Sequence, residues 1–133
     1  MKKIGILNAQ LSRIIASMGH TDRLVIGDSG LPVPENCEKV DLALTPGIPR
    51  FEDTLRTVLE ELKVEAAIVA EEITSRNEPV FEAIKRLLPG IELRFVSHET
   101  FKRMMRDDET VACVRTGETT PYANVMLVSG VTF

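Results

Sequence analysis

The chain has 133 residues, the usual size of one domain. Hydrophobic residues make up 44% and charged residues 27%, which is the composition of a folded globular protein and argues against disorder. The net charge of −4 provides no positive field of the kind that nucleic acid binding needs, so we expect no nucleic acid partner.

The first predicted element is a helix at residues 10–18. Leu11, Ile14 and Met18 recur at helical spacing, Asn8 is a plausible N-cap, and Gly19 lies where a C-cap is expected. Short apolar runs then predict strands at residues 24–26 and 40–44, and segments rich in Gly and Pro predict loops at residues 27–34 and 45–49.

The second half of the chain continues to alternate helices and strands. Ser75 or Asn77 is expected to cap one of the helices, and Ser97 another. The predicted helices cover residues 51–62, 80–88 and 98–105, and the predicted strands cover residues 66–70, 91–96, 110–114 and 125–128. This alternation predicts a single α/β domain over residues 1–133, with three layers and a mostly parallel or mixed sheet flanked by helices.

The sequence also predicts a cytoplasmic protein. Cys37 and Cys113 are far apart and form no CxxC motif, which is typical of reduced thiols. The apolar run at residues 4–7 is too short for a secretory signal, and no run approaches the length of a membrane span, so we expect no membrane partner.

Two histidines, His20 and His98, lie at element boundaries. Histidine is the side chain best suited to move protons near neutral pH, although a boundary histidine is often only a cap or an exposed residue. No HExxH motif or Cys/His cluster supplies further ligands, so we expect no metal.

Polar residues of the predicted loops are the other candidates, because functional groups gather at strand ends in α/β folds. Asp28 either forms an Asx turn or accepts hydrogen bonds from sugar hydroxyls. Tyr122 and Asn124 offer a flat ring and an amide for a sugar, although a lone tyrosine is also common in a core. Ser29 lies in Gly27-Asp28-Ser29-Gly30, the nucleophile tetrapeptide of chymotrypsin-like proteases, but those enzymes need two β-barrels and a longer chain.

Taken together, segments along the whole chain resemble the D-ribose pyranase family. They are Gly5-Ile6-Leu7-Asn8, Ile15-Ala16-Ser17-Met18-Gly19-His20-Thr21-Asp22, Asp28-Ser29-Gly30-Leu31-Pro32-Val33-Pro34, Tyr122-Ala123-Asn124 and Gly130-Val131-Thr132-Phe133. The related L-fucose mutarotases share the Gly-His-x-Asp step, but Thr21 and Gly30-Leu31-Pro32 fit the ribose branch better. Ser29 is a departure, since alanine is more often expected there.

The resemblance implies an isomerase that interconverts the pyranose and furanose forms of D-ribose without a cofactor. It implies an α/β fold assembled into a ring-shaped decamer, with sites at subunit contacts. It implies that His20 is the proton donor, and that the sugar is held by Asp28, His98, Tyr122, Ala123 and Asn124.

Several points stay open at this stage. A fucose-type mutarotase and a non-catalytic sugar-binding module are the alternative functions. The general base is Asp28, His98 or a bound water.

Overall fold

A mixed six-stranded sheet forms the middle layer of the structure, a computed structural model that describes every residue from Met1 to Phe133. Its strands are β1 (Arg23–Gly27), β2 (Glu38–Asp41), β3 (Val64–Ala70), β4 (Glu92–Val96), β5 (Thr110–Arg115) and β6 (Val125–Ser129). They lie in the order β2-β5-β1-β6-β3-β4. Strand β6 runs antiparallel to both of its neighbours, β1 and β3, and the other pairs are parallel.

Helices cover both faces of the sheet. They are α1 (Ala9–Ser17), α2 (Phe51–Leu59), α3 (Ile73–Arg76), α4 (Glu78–Leu87) and α5 (His98–Met104). Because alternate residues of a strand point to opposite faces, Leu24 and Ile26 of β1 join the apolar cluster beneath α1, α2 and α4, whereas Val25 joins the cluster beneath α5. The predicted α/β class, with a mixed sheet flanked by helices, is confirmed.

The start of α1 agrees with the prediction, but its end does not. The Asn8 side chain accepts a hydrogen bond from the backbone N–H of Leu11 at 2.8 Å, as an N-cap should. The C-cap is Met18, and Gly19 instead donates its N–H to the carboxylate of Asp22. The left-handed residue of this turn is Thr21, with φ of 72°. Contacts farther along the chain, described below, hold Thr21 in this conformation.

Two other expectations need correction. Strand β2 covers residues 38–41 rather than 40–44, because its pairing with β5 ends at Asp41 and Arg115. The side chain of Asn77 does not cap α4 but bonds to a distant loop. Strands β5 and β6 follow one another in the chain but are separated in the sheet, because β1 lies between them.

Both cysteines are free and buried in the apolar cluster beneath α5. Burial raises the pKa of the Cys37 thiol to about 11, and burial also raises the pKa of Cys113, so neither is a ready nucleophile at neutral pH. None of the five helices combines the length and apolar character needed to cross a lipid bilayer.

The direction of the strands gives the sheet two distinct ends. At the carboxyl end of the sheet, β1, β3 and β4 finish at Gly27, Ala70 and Val96, and antiparallel β6 begins at Val125. At the amino end of the sheet, β1 and β3 begin and β6 finishes at Ser129. The site residues predicted from the sequence lie at both ends.

Candidate active site

Four of the predicted site residues meet at the carboxyl end of the sheet. Asp28 follows β1, His98 begins α5 just after β4, and Tyr122 and Asn124 lie in the segment that leads into β6. Asp28, His98 and Tyr122 are half-buried, and Asn124 is completely buried, as is Ala123 between them. The loops in which the sequence analysis places candidate functional groups therefore converge at one end of the sheet.

The contact between Asn124 and Asp28 ties two of these loops together. The backbone N–H of Asp28 donates to Asn124 Oδ1 at 2.9 Å. This approach requires glycine at position 27, since a Cβ there would lie 2.9 Å from Asn124 Oδ1 and 2.7 Å from a methyl carbon of Leu31. The Nδ2 atom of Asn124 is buried and has no hydrogen-bond partner.

Asp28 forms the Asx turn that was one of the two interpretations of the sequence. Its Oδ1 atom accepts a hydrogen bond from the N–H of Gly30 at 2.9 Å. Burial raises the pKa of this carboxyl above its ordinary value, although the hydrogen bond from Gly30 and the nearby side chains of Asn124 and His98 act in the opposite direction. The turn fixes the orientation of the carboxyl group through Oδ1, and its other oxygen can still accept a hydrogen bond from a sugar hydroxyl. The turn and a sugar-binding role are therefore compatible.

The aromatic part of the cluster is a perpendicular pair of rings. The centroids of His98 and Tyr122 lie 5.1 Å apart with an angle of 86° between the ring planes. The backbone N–H of His98 donates to both carboxylate oxygens of Glu72, at 3.0 and 3.1 Å, which fixes the start of α5. The Nδ1 atom of His98 is buried and has no partner.

A buried asparagine that the sequence did not reveal as part of the site supports the Tyr122 segment. Asn77 donates from Nδ2 to Thr120 Oγ1 at 2.9 Å and to the carbonyl of Pro121 at 2.7 Å. Tyr122 itself has φ of 57°, a left-handed conformation that is uncommon for a residue other than glycine. The backbone is thus held in an unfavourable conformation where the predicted sugar-binding residues begin.

The chemistry available at the carboxyl end of the sheet is hydrogen bonding around an aromatic ring. A buried polar atom without a partner costs about 1–3 kcal/mol, and this cluster has two, His98 Nδ1 and Asn124 Nδ2. A ligand with several hydroxyl groups would satisfy both, and the ring of Tyr122 offers an apolar surface beside them. No group of three or more His, Cys, Asp or Glu side chains is placed to hold a metal ion.

His20 lies at the other end of the sheet. It is exposed, and its Nε2 atom is 2.9 Å from Glu65 Oε2. Next to it, Thr21 donates its N–H to the carbonyl of Ser129 at 2.9 Å, and its left-handed backbone stores strain of roughly 1–3 kcal/mol because the residue is β-branched. Since β1, five residues long, spans roughly 15 Å between the two ends, a single chain does not bring His20 to the other predicted site residues.

Ser29 has none of the partners that a nucleophilic serine requires. Its backbone N–H donates to the carbonyl of Glu118 at 2.8 Å, and its carbonyl accepts from Arg115 Nε at 3.0 Å. It borders a cavity of about 340 Å³ whose lining contains Thr45, Arg115 and Gly117 but no histidine. A serine nucleophile needs an adjacent base, so the geometry gives a hydrolase no support.

Comparison with known proteins identifies the family of this chain. The model of the RbsD / FucU transport protein family matches residues 1–132. The chain belongs to this family. A D-ribose pyranase from Symbiobacterium thermophilum is 55% identical over 133 residues, the full length of both chains.

Solved structures of the RbsD / FucU family agree with the fold described above. The structure of Bacillus subtilis RbsD complexed with D-ribose matches with a TM-score of 0.94 and 47% identity, over 100% of both chains. The fucose mutarotase from Streptococcus pneumoniae, in complex with L-fucose, matches with a TM-score of 0.80 over 100% of both chains. At 20% identity, that second likeness shows the shared fold alone.

Proposed function

We propose that the protein is a D-ribose pyranase, an isomerase that interconverts the pyranose and furanose forms of D-ribose. The observation that carries this proposal is the full-length match, at 47% identity and a TM-score of 0.94, to Bacillus subtilis RbsD complexed with D-ribose. The 55% identity to a D-ribose pyranase supports the same substrate. The fucose mutarotase, at 20% identity, is much farther away in sequence.

The carboxyl end of the sheet is the proposed sugar site. The half-buried carboxyl of Asp28 accepts hydrogen bonds from hydroxyl groups, and the unpartnered nitrogen atoms of His98 and Asn124 bond to sugar oxygens. The ring of Tyr122 contacts the C–H face of the sugar, and the backbone of Ala123 completes the site. Binding satisfies buried polar atoms that are otherwise without partners, which favours a polyhydroxylated ligand over an apolar one.

The proposed reaction needs proton transfer and no cofactor. An acid protonates the ring oxygen while a base removes the proton of the anomeric hydroxyl, so the bond between the anomeric carbon and the ring oxygen breaks. The open aldehyde then closes through the neighbouring hydroxyl group. We assign His20 as the acid, because histidine exchanges protons near neutral pH and each well-placed acid or base accelerates such steps by roughly 10²- to 10⁴-fold.

This assignment requires a second subunit, since His20 lies at the opposite end of the sheet from the sugar site. We propose that His20 of one subunit reaches the carboxyl end of the sheet of its neighbour. A closed ring of identical contacts, such as the decamer that the resemblance implies, would complete every site in this way. We place this assembly in the cytoplasm, in keeping with two free, buried cysteines.

The decisive experiment is an exchange measurement by NMR on D-ribose with and without the protein. A D-ribose pyranase increases the rate of pyranose–furanose exchange in proportion to its concentration. L-fucose, measured in parallel, tests the alternative substrate. A larger acceleration of fucose exchange than of ribose exchange would show that the protein is a fucose-type mutarotase. Binding of D-ribose with no change in the exchange rate would show a sugar-binding module instead of an enzyme.

A further inference from the structure

Glu65 is an acidic residue in an otherwise buried strand. In β3, six of seven residues are buried, and Glu65 is the exposed exception. The pairing of β3 with β6 shifts register here, because Val64 lies opposite Ser129 whereas Ala66 lies opposite Val128. Glu65 is therefore the extra residue of a bulge, a feature that redirects a side chain relative to a regular strand.

The redirected carboxylate contacts His20. The distance from Glu65 Oε2 to His20 Nε2 is 2.9 Å, between residues 45 positions apart in the chain. The turn that carries His20 is fastened to the same place: Thr21 donates to the carbonyl of Ser129, and Ser129 donates to the carbonyl of Asp22. Residue Ser129 thus connects the histidine turn to the bulge.

Two further backbone features fit the same contact. Thr21 adopts a left-handed φ of 72°, which is rare for a β-branched residue and shapes the turn beside His20. At position 130, an added Cβ would lie 3.1 Å from the Cβ of Glu65, so glycine leaves room for that side chain. A bulge, a left-handed threonine and a glycine all lie around one exposed contact between His20 and Glu65.

We propose that Glu65 is a positioning residue for His20. Because His20 acts as an acid only if the proposed function holds, this role of Glu65 rests on that function. The carboxylate accepts the Nε2–H of the imidazole, which leaves Nδ1 as the nitrogen that faces the sugar of the neighbouring subunit. The contact also restricts the rotation of an exposed ring that would otherwise sample several orientations.

A purely stabilising role does not explain the arrangement. The side chains of His20 and Glu65 are 52% and 42% exposed, and exposed ion pairs add little to folding stability. The left-handed backbone at Thr21 opposes folding, and an exposed contact of this kind gains too little stability to offset that strain. Fixing the tautomer and direction of a proton-transferring histidine is a known use of a neighbouring carboxylate.

Other charged groups near the pair do not take over the role of Glu65. The Asp22 carboxylate is engaged by the N–H of Gly19 at 2.8 Å. Arg94 lies near enough to Glu65 to feel its charge, but it is paired with Glu92 on its own strand. Glu92 is thus an exposed glutamate on the adjacent strand without a histidine partner, and it serves as a matched control.

The test compares Glu65→Ala with Glu92→Ala in the assembled protein. We expect Glu65→Ala to lower kcat for D-ribose exchange roughly tenfold, in the range seen when a partner that orients a histidine is removed, with KM almost unchanged. Glu65→Gln keeps a hydrogen-bond acceptor and should retain an intermediate kcat. Glu92→Ala should match the wild type in kcat and KM.

A spectroscopic measurement separates positioning from a general structural effect. Two-bond ¹H–¹⁵N spectra, recorded at alkaline pH, report which ring nitrogen of His20 carries the proton, and His20→Ala identifies its signals against those of His98. We expect the Nε2–H tautomer in the wild type and a mixture in Glu65→Ala. Size-exclusion chromatography checks assembly, and if Glu65→Ala does not assemble, Glu65→Gln carries the test.

The possible failures are distinct. Wild-type kcat and an unchanged tautomer in Glu65→Ala, with exchange lost in His20→Ala, would overturn the role of Glu65 and leave the proposed function intact. A rise in KM without a fall in kcat would also overturn it. Normal exchange in His20→Ala would remove the role of His20 itself, and with it that of Glu65.

Discussion

The two ends of the sheet hold their functional side chains in opposite ways. At the carboxyl end, Asn124 is fully buried and its amide nitrogen has no hydrogen-bond partner, so this donor remains free to bond to a ligand. At the amino end, His20 is exposed, already paired with Glu65, and carried on a strained turn. The first arrangement suits the binding of a small polar ligand, and the second suits a group that must reach out of its own chain.

The same comparison explains why one chain is not enough. Strand β1 carries His20 before it and Asp28 after it, and its rigid length keeps them apart. A proton donor and a sugar site at opposite ends of a sheet can meet only when two copies of the chain pack together. The proposed mechanism therefore requires a contact between subunits.

The largest expected effect comes from removing the amino-end histidine. His20→Ala should slow pyranose–furanose exchange by roughly 10²-fold or more, because the acid is lost. The affinity for D-ribose, measured by calorimetry, should change far less, since the carboxyl end is untouched. Circular dichroism should show an intact fold because the side chain is exposed; near-normal exchange in such a folded variant would contradict the assignment.

The next effect tests whether the two ends cooperate between chains. His20→Ala and Asn124→Ala are each expected to be inactive, but unfolding them and refolding them together in equal amounts should restore about one quarter of the sites. A site takes its histidine from one chain and its asparagine from another, and each is intact with a probability of about one half in random mixing. The measurement is exchange activity of the mixture relative to refolded wild type.

The controls for this mixing experiment are each variant refolded alone. Size-exclusion chromatography must show that both variants and the mixture assemble to the same size. Sites built within one chain would regain no activity, because every chain carries one defect. If well-assembled mixtures regain no activity, the site is not shared between subunits.

A smaller effect is expected at Asp28, where binding and stability should separate. Asp28→Asn keeps an oxygen to accept the N–H of Gly30 but loses the charge, so we expect D-ribose affinity to fall by roughly 1–3 kcal/mol. Asp28→Ala should lose the same affinity and also about 1 kcal/mol of stability, since the Asx turn is gone. Calorimetry and denaturant unfolding measure the two quantities.

The raised pKa of Asp28 fixes the direction of the pH effects. Burial raises this pKa above the ordinary value of 3.8, so the ionised carboxyl opposes folding; this unfavourable effect develops as the pH rises from about the ordinary value and is complete above the raised pKa. At neutral pH, Asp28→Asn should therefore be at least as stable as the wild type. As the pH falls through the raised pKa, the wild type should lose D-ribose affinity, whereas Asp28→Asn should change little; the reverse pattern would exclude the carboxylate as the sugar acceptor.

The sequence predicts local features of the fold well. The N-caps Asn8 and Ser97 are confirmed because a cap bonds within three residues, a distance that a sequence pattern can show. The sequence predicts the loops after β1 and β4 and the segment before β6 as places for functional groups, and these meet because β1 and β4 end, and antiparallel β6 begins, at the same end of the sheet. Both kinds of prediction depend on local spacing or on topology.

The supporting contacts could not be predicted in this way. Asn77 bonds to Pro121 across 44 positions, and Glu72 to His98 across 26. Sequence alone gave no reason to pair these residues, because the contacts depend on which strands become neighbours. The left-handed backbone at Thr21 rather than at Gly19 has the same origin, since the tether to Ser129 outweighs the local preference for glycine.

The smallest effect is expected at Ser29. Its segment, Gly27-Asp28-Ser29-Gly30, resembles a protease nucleophile segment in sequence but lies in the proposed sugar-binding loop. Ser29→Ala should retain full exchange activity and full D-ribose affinity, because the contacts that hold this residue run through its backbone to Glu118 and Arg115. Serine-directed phosphonates should leave the wild type unlabelled by mass spectrometry, with chymotrypsin as the positive control. Asp28→Ala provides the contrast one position away, since it changes a side chain that the site uses. Covalent labelling at Ser29 would mean that the carboxyl end of the sheet holds a nucleophile, and a loss of activity in Ser29→Ala comparable to that in Asp28→Ala would mean that the hydroxyl group of Ser29 takes part in the site.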